Sequence, residues 1–159
     1  MKKASIVFLK VVICLIGIAV LAWLLWFPQA EGRNANSDWL SLYFNDPFLA
    51  YVYVGSLAFF VGLYQTLKLL KSIEQNKAFS QASVKALRNI KYCAITIIGF
   101  LLGAMAFIML SHGEDDAAGA ISLGIITTFS MLVIAVFAAV LQKLFQNALD
   151  IKSENELTV

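Results

Sequence analysis

Four stretches of this chain hold almost no charge. Phe48–Leu67, Tyr92–Leu110 and Gly119–Leu141 contain no Asp, Glu, Lys, Arg or His, and Ser5–Phe27 contains only Lys10. Only 14% of the 159 residues are charged, whereas soluble domains contain about 25%. A membrane span needs roughly 20 apolar residues. This shortage of charge excludes a soluble globular domain and predicts that each stretch is a membrane span.

The residues used in catalysis and metal binding are also scarce. The single histidine, His112, has no Cys or Ser partner in a recognisable catalytic arrangement, and neither a Gly-rich phosphate loop nor zinc-ligand spacing occurs. Cys14 and Cys93 fall within or at the edge of spans, where they are expected to act as small apolar residues. The sequence therefore predicts no enzyme, no cofactor and no metal centre.

Ionisable residues inside spans mark transport pathways, and this chain offers only Lys10, which is shallow enough to snorkel to the nearby surface. A proton-coupled or ion-coupled pump is therefore disfavoured. A small transport or pore-forming component that acts as an oligomer stays open, because a few polar side chains could line a path. They are Gln65, Thr66, Thr96, Thr127, Thr128 and Ser130.

Positive charge lies almost entirely on one side of the spans. Eleven of the twelve Lys and Arg residues are in the N-terminal segment, the loop 68–91 or the tail 142–159, and only Arg33 is in a loop on the other side. Loops rich in Lys and Arg stay in the cytoplasm. Both termini and the central loop are therefore predicted to be cytoplasmic.

Aromatic residues support the same boundary, because amphipathic rings prefer the headgroup zone. Six of them gather near the outer ends of the first two spans: Trp23, Trp26, Trp39, Tyr43, Tyr51 and Tyr53. We therefore predict an all-α fold, in which residues 1–159 form one integral membrane four-helix bundle. Its spans lie near residues 5–27, 48–67, 92–110 and 119–141.

The central loop, residues 68–91, is predicted to be a helical hairpin that extends into the cytoplasm. Asn76 tolerates the left-handed conformation that ends helices. Ser80 is suited to cap the next helix, with Phe79 before it as the apolar staple partner of Val84.

Basic side chains of this hairpin form the candidate contact surface: Lys71, Lys77, Lys85, Arg88 and Lys91. They suit either anionic lipid at the membrane surface or an acidic protein partner. Direct binding of nucleic acid is disfavoured, because no aromatic side chains alternate with these cations to stack on bases.

Three pairs of small residues at a spacing of four are candidates for close helix packing. They are Ala58 with Gly62, Gly99 with Gly103, and Ala135 with Ala139. Packing within the chain is the simplest use of these faces, and association of two copies is the alternative.

Three adjacent acids, Glu114, Asp115 and Asp116, lie in the last outer loop. Clustered carboxylates suit hard cations, but adjacent acids in a loop also simply face solvent. Whether these residues bind a cation stays open.

Two segments of the hairpin resemble a known family. The run Asn76–Ser80 and the run Ala86–Tyr92 are similar to the central loop of small bacterial membrane proteins grouped as domain of unknown function 2975. Glu114–Ala117, Ile134–Leu144 and the tail Ile151–Val159 extend the resemblance over nearly the whole chain. The resemblance implies a location in the bacterial plasma membrane.

It implies no established activity and no catalytic residues. Genes of this family often lie beside a gene for a small helix-turn-helix regulator. The leading hypothesis is therefore a regulatory or accessory membrane protein whose cytoplasmic hairpin and tail contact a soluble partner such as that regulator.

The tail continues the fourth span as an amphipathic helix, with Leu141, Leu144 and Phe145 on one face. An interfacial anchor is its alternative role.

Overall fold

The computed structural model describes residues 3–30, 47–111 and 117–158. They form four α-helices, and the described part of the chain contains no strand. The helices are α1 (Lys3–Ala30), α2 (Pro47–Glu74), α3 (Gln81–Leu110) and α4 (Ala117–Leu157). Each is long and apolar enough to cross a bilayer. The prediction of an all-α chain with four helices apolar enough to span a membrane is confirmed for the described residues.

The turn between α2 and α3 follows from local chemistry. Asn76 has a φ of 57°, the left-handed conformation that Asn tolerates better than most residues. Ser80 is the N-cap of α3, and its Oγ accepts a hydrogen bond from the backbone N–H of Ser83 at 3.3 Å. Both residues take the positions predicted for them. The Ser83 side chain is itself fully buried and donates to the carbonyl oxygen of Lys77 at 3.4 Å.

The helices pack mainly against their neighbours in sequence. The contact between α3 and α4 is the most extensive, and the contact between α1 and α2 is the smallest of the three main contacts. Small side chains allow the closest approach, since Ala94 of α3 and Ala135 and Ala138 of α4 are all buried. The first helix is therefore the most loosely attached element.

Two polar contacts join α1 to α2 near opposite ends of α1. The hydroxyl of Tyr53 donates to the carbonyl oxygen of Leu24 at 2.8 Å. At the other end, Lys10 Nζ lies 2.5 Å from Oε2 of Glu74. The sequence predicts that the Lys10 side chain reaches the nearby membrane surface, and the structure pairs it with Glu74, the last residue of α2.

Large apolar side chains cover the outside of the molecule, especially on α1 and α4. Phe8, Trp26, Phe129 and Phe137 are all about two-thirds exposed. In water such a surface would be an extended apolar patch, whereas in a bilayer it contacts lipid chains. The exposed surface therefore agrees with the uncharged stretches that predicted the spans.

Candidate functional site

The hairpin and the C-terminal part of α4 form one unit. The ring of Phe79, at the hairpin turn, lies 5.0 Å from the ring of Phe145. Lys91 Nζ donates to Oε1 of Gln142 at 3.2 Å. The two contacts join segments that are more than 50 positions apart. We call residues 68–91 and 142–157 together the hairpin–tail unit.

The last turns of α4 extend beyond the hairpin. Residues 145, 146, 148 and 149 are partly covered, whereas every residue from 150 to 157 is exposed. Ile151 is 60% exposed and Leu157 is 86% exposed, although both are apolar. The helix continues from Ala117 to Leu157 without a break and contains no Pro, the usual cause of a sharp kink. It therefore extends past the hairpin contact, and the alternative of an interfacial anchor stays a prediction.

The predicted basic residues divide into two groups. Lys71, Lys77, Lys85 and Arg88 have exposed side chains and form no salt bridge with any other described residue. Lys91 differs, because it is half-buried, bonds to Gln142 and lies 5.0 Å from the centroid of the Tyr92 ring. The first four are open to a partner, and Lys91 has a structural contact within the chain.

Glu74 is the acidic residue of the hairpin. It lies seven residues beyond the end of the uncharged stretch that ends at Leu67, after the exposed Lys68 and Lys71. The hydrogen bond from Lys10 and the positive charge of Lys10 lower the pKa of the Glu74 carboxyl, with smaller contributions from Lys3 and Lys71. Desolvation acts in the opposite direction and is outweighed. The Glu74 carboxylate is thus held in its charged form at the hairpin.

The small residues of the predicted packing faces have different surroundings. A Cβ at Gly62 would lie 3.5 Å from the Cβ of Cys93, so Gly62 lies at the contact between α2 and α3. A Cβ at Gly103 would overlap the Tyr51 hydroxyl, whereas a Cβ at Gly99 would meet nothing within 4 Å. Ala135 is buried, and Ala58 and Ala139 are half-buried.

Five hydroxyl groups of the predicted polar path are bonded to their own helices. Each donates to the carbonyl oxygen four residues earlier, at distances from 2.7 to 2.9 Å. The residues are Thr66, Thr96, Thr127, Thr128 and Ser130. Three of them, at positions 96, 127 and 130, face the outside of the molecule. This arrangement gives no support to a shared polar path through the bundle.

Two tyrosines assigned to the headgroup zone have partners within the chain. Tyr51 donates to the carbonyl oxygen of Phe100 at 2.8 Å, and Tyr53 bonds to Leu24. Trp23 and Trp26 are exposed as an interfacial role requires. Arg33, Trp39, Tyr43, His112 and Glu114–Asp116 lie outside the described residues, so the predictions made for them are untested.

Sequence reasoning missed two exposed tyrosines at the hairpin end of the bundle. Tyr64 of α2 is 65% exposed and Tyr92 of α3 is 56% exposed. Both lie one turn from an exposed cation on the same helix, Lys68 and Arg88 respectively. The spacing of four between tyrosine and cation on each helix is visible in the sequence. Whether the two tyrosines lie at the same height depends on the register of α2 against α3.

Comparison with known proteins decides the family. Residues 4–159 match the family model described as Protein of unknown function (DUF2975). The chain belongs to the DUF2975 family. It is 46% identical to the Uncharacterized membrane protein YoaS of Bacillus subtilis (strain 168), over 160 aligned positions that cover 100% of both chains. No solved structure matches this member of DUF2975. The resemblance seen in the sequence is thereby confirmed. The description of the family names no activity.

Proposed function

We propose that this protein is a non-enzymatic regulatory or accessory protein of the bacterial plasma membrane, whose hairpin–tail unit docks a soluble cytoplasmic partner. The contact between Phe79 and Phe145 carries the proposal, because it makes two distant segments into one surface. A purely membrane-embedded function gives no reason to build such a unit outside the spans.

The projecting end of α4 supports the docking role. Helices gain most of their stability from packing, yet no other described element covers residues 150–157, which expose Ile151 and Leu157. Apolar side chains on an exposed helix are the anchors by which helices bind grooves in partner proteins. Lys77 at the hairpin turn is also exposed and adds a positive charge to the same end.

The side of the membrane follows from charge. The first turns of α1, the hairpin and the end of α4 lie at one end of the bundle, as the contacts of Lys10 with Glu74 and of Lys91 with Gln142 require. Nearly all Lys and Arg residues are at this end, and the positive-inside rule assigns it to the cytoplasm. A small helix-turn-helix regulator encoded nearby is the partner we propose.

The test is capture from membranes. Tagged protein is extracted in mild detergent, and co-purified proteins are quantified for wild type, for Ile151→Ser with Leu157→Ser, and for a control with Asn147→Ser and Asn155→Ser. All four positions are exposed on the tail, so only the first pair removes apolar surface. We expect a helix-turn-helix protein with wild type and the control, and its loss with the first pair. Equal recovery from all three would refute docking through the tail.

A further inference from the structure

Five exposed cations lie within about one helical turn of one another in height, and we call them the ring: Lys68, Lys71, Lys85, Arg88 and Lys143. A Cβ at Gly62 of α2 would lie 3.5 Å from that of Cys93 of α3. Counting along the two antiparallel helices from this contact, Lys68 lies within about 2 Å of the height of Arg88, because each residue rises about 1.5 Å. By the same count, Lys71 lies within about 2 Å of the height of Lys85.

The fourth helix adds to the same ring. Met105 of α3 lies directly against Gly124 of α4. Counting from that contact places the exposed Lys143 within about one helical turn of Lys85 and Arg88. Three helices thus each present exposed cations at about one level.

Two exposed tyrosines lie one helical turn nearer the centre of the membrane than these cations. Tyr64 and Tyr92, both more than half exposed, lie at about the same height by the same register. From Tyr92 to Leu110, α3 is apolar over about 28 Å, close to the roughly 30 Å of a hydrocarbon core. Tyrosine prefers the boundary between this core and the headgroups. The cations therefore lie at the level of the lipid phosphates.

The geometry points to a binding surface for anionic phospholipid headgroups, formed by Lys68, Lys85 and Arg88 with Tyr64 and Tyr92 beneath them. Charge complementarity favours this occupant, since these three cations form no salt bridge with any described residue. A soluble acidic protein would approach from the aqueous side, whereas the phosphates of anionic lipids lie at the height of these cations themselves. In the proposed function, the soluble partner binds elsewhere, at the hairpin turn and the projecting tail.

Native mass spectrometry tests this assignment. It counts the molecules of dioleoyl phosphatidylglycerol and of dioleoyl phosphatidylcholine that bind to the full-length protein in detergent. We compare wild type with Lys85→Gln plus Arg88→Gln. The matched control is Lys77→Gln plus Lys152→Gln, which removes two exposed cations away from the ring. Circular dichroism confirms that the variants fold, as expected for exposed positions.

Wild type and the control should prefer phosphatidylglycerol, and the ring variant should lose this preference by about fivefold for each charge removed. The assignment is overturned if wild type binds both lipids equally, or if the control loses as much preference as the ring variant. It is also overturned if the ring variant keeps its lipid preference and instead loses the captured helix-turn-helix protein. The tail variants of the capture experiment should leave the lipid preference unchanged, so the two proposals fail independently.

Discussion

The ring of Phe79 lies 5.0 Å from the ring of Phe145, across 66 positions of sequence. The first residue is at the turn between α2 and α3, and the second is in the part of α4 that follows the uncharged stretch Gly119–Leu141. Aromatic pairs at this separation contribute about 0.5 to 1.5 kcal/mol beyond the burial of their surface.

A double-mutant cycle should detect this contact. Phe79→Ala and Phe145→Ala are each expected to destabilise the protein, and the pair to show a coupling energy of about 0.5 to 1.5 kcal/mol in mixed-micelle unfolding. Hydrogen exchange in the tail should increase in either single variant. Phe129, which is 66% exposed on the lipid side of α4, supplies the control: Phe129→Ala with Phe79→Ala should be additive. A coupling near zero for Phe79 and Phe145 would contradict the packed unit.

Acid should weaken the attachment of α1 through Glu74. The pKa of Glu74 is lowered by Lys10, so the stabilisation is present above the ordinary pKa of a glutamate and is lost as the pH falls through the lowered value. Thermal unfolding in detergent at pH 7 and at pH 3 should show a larger loss for wild type than for Glu74→Gln. Lys152→Gln, at an exposed tail position, should behave as wild type. An acid loss of the same size in Glu74→Gln would show that the pair does not stabilise the fold.

Gly103→Ala should destabilise the contact between α2 and α3. The added Cβ would overlap the Tyr51 hydroxyl and displace it from the Phe100 carbonyl, at a cost of about 1 to 3 kcal/mol. Gly99→Ala is the control, because its Cβ would meet nothing within 4 Å. Tyr51→Phe removes the overlapping oxygen, so Gly103→Ala should cost less in that background than in wild type. Equal effects of the two alanine variants in unfolding experiments would refute the overlap.

Topology reporters test the orientation. Fusions of a periplasmic reporter after Asn34 and after His112 should be active outside, and cytoplasmic reporters after Asn76 and after Val159 should be active inside, because the positively charged segments stay in the cytoplasm. The inverse pattern at any one of the four sites would contradict the charge argument.

Liposomes test the transport alternative. Because the hydroxyls of Thr66, Thr96 and Thr128 bond to their own helices, reconstituted protein should give no flux of ions or small cations above empty liposomes. The measurement needs a protein density at which oligomers are confirmed by crosslinking. Flux that disappears in Thr128→Val would instead restore the alternative of a pore-forming component.

Local chemistry made part of this structure predictable. Asn76 and Ser80 determine the hairpin turn through their own backbone and the next three residues, and their roles could be read from neighbouring positions. The four spans could also be predicted from local sequence. A charged side chain is costly in a membrane whichever helix packs beside it, so a stretch without charge indicates a span by itself.

Contacts between distant positions could not be predicted in this way. Lys10 and Glu74 are 64 positions apart, and neither residue carries a local sign of its partner. Tyr64 and Tyr92 each stand beside a cation in the sequence, but only the register of α2 on α3 brings them to one height. The register depends on many small contacts such as that of Gly62 with Cys93, and these have no short sequence signature.

The length of α4 gives the protein a mechanical property. Its 41 residues make a rod about 60 Å long, of which only about half fits within a bilayer. Transmembrane helices change tilt when bilayer thickness changes. A tilt of about 10° would move the far end of such a rod by about 10 Å. A change in membrane thickness that altered this tilt would therefore displace the exposed Ile151 and Leu157 sideways.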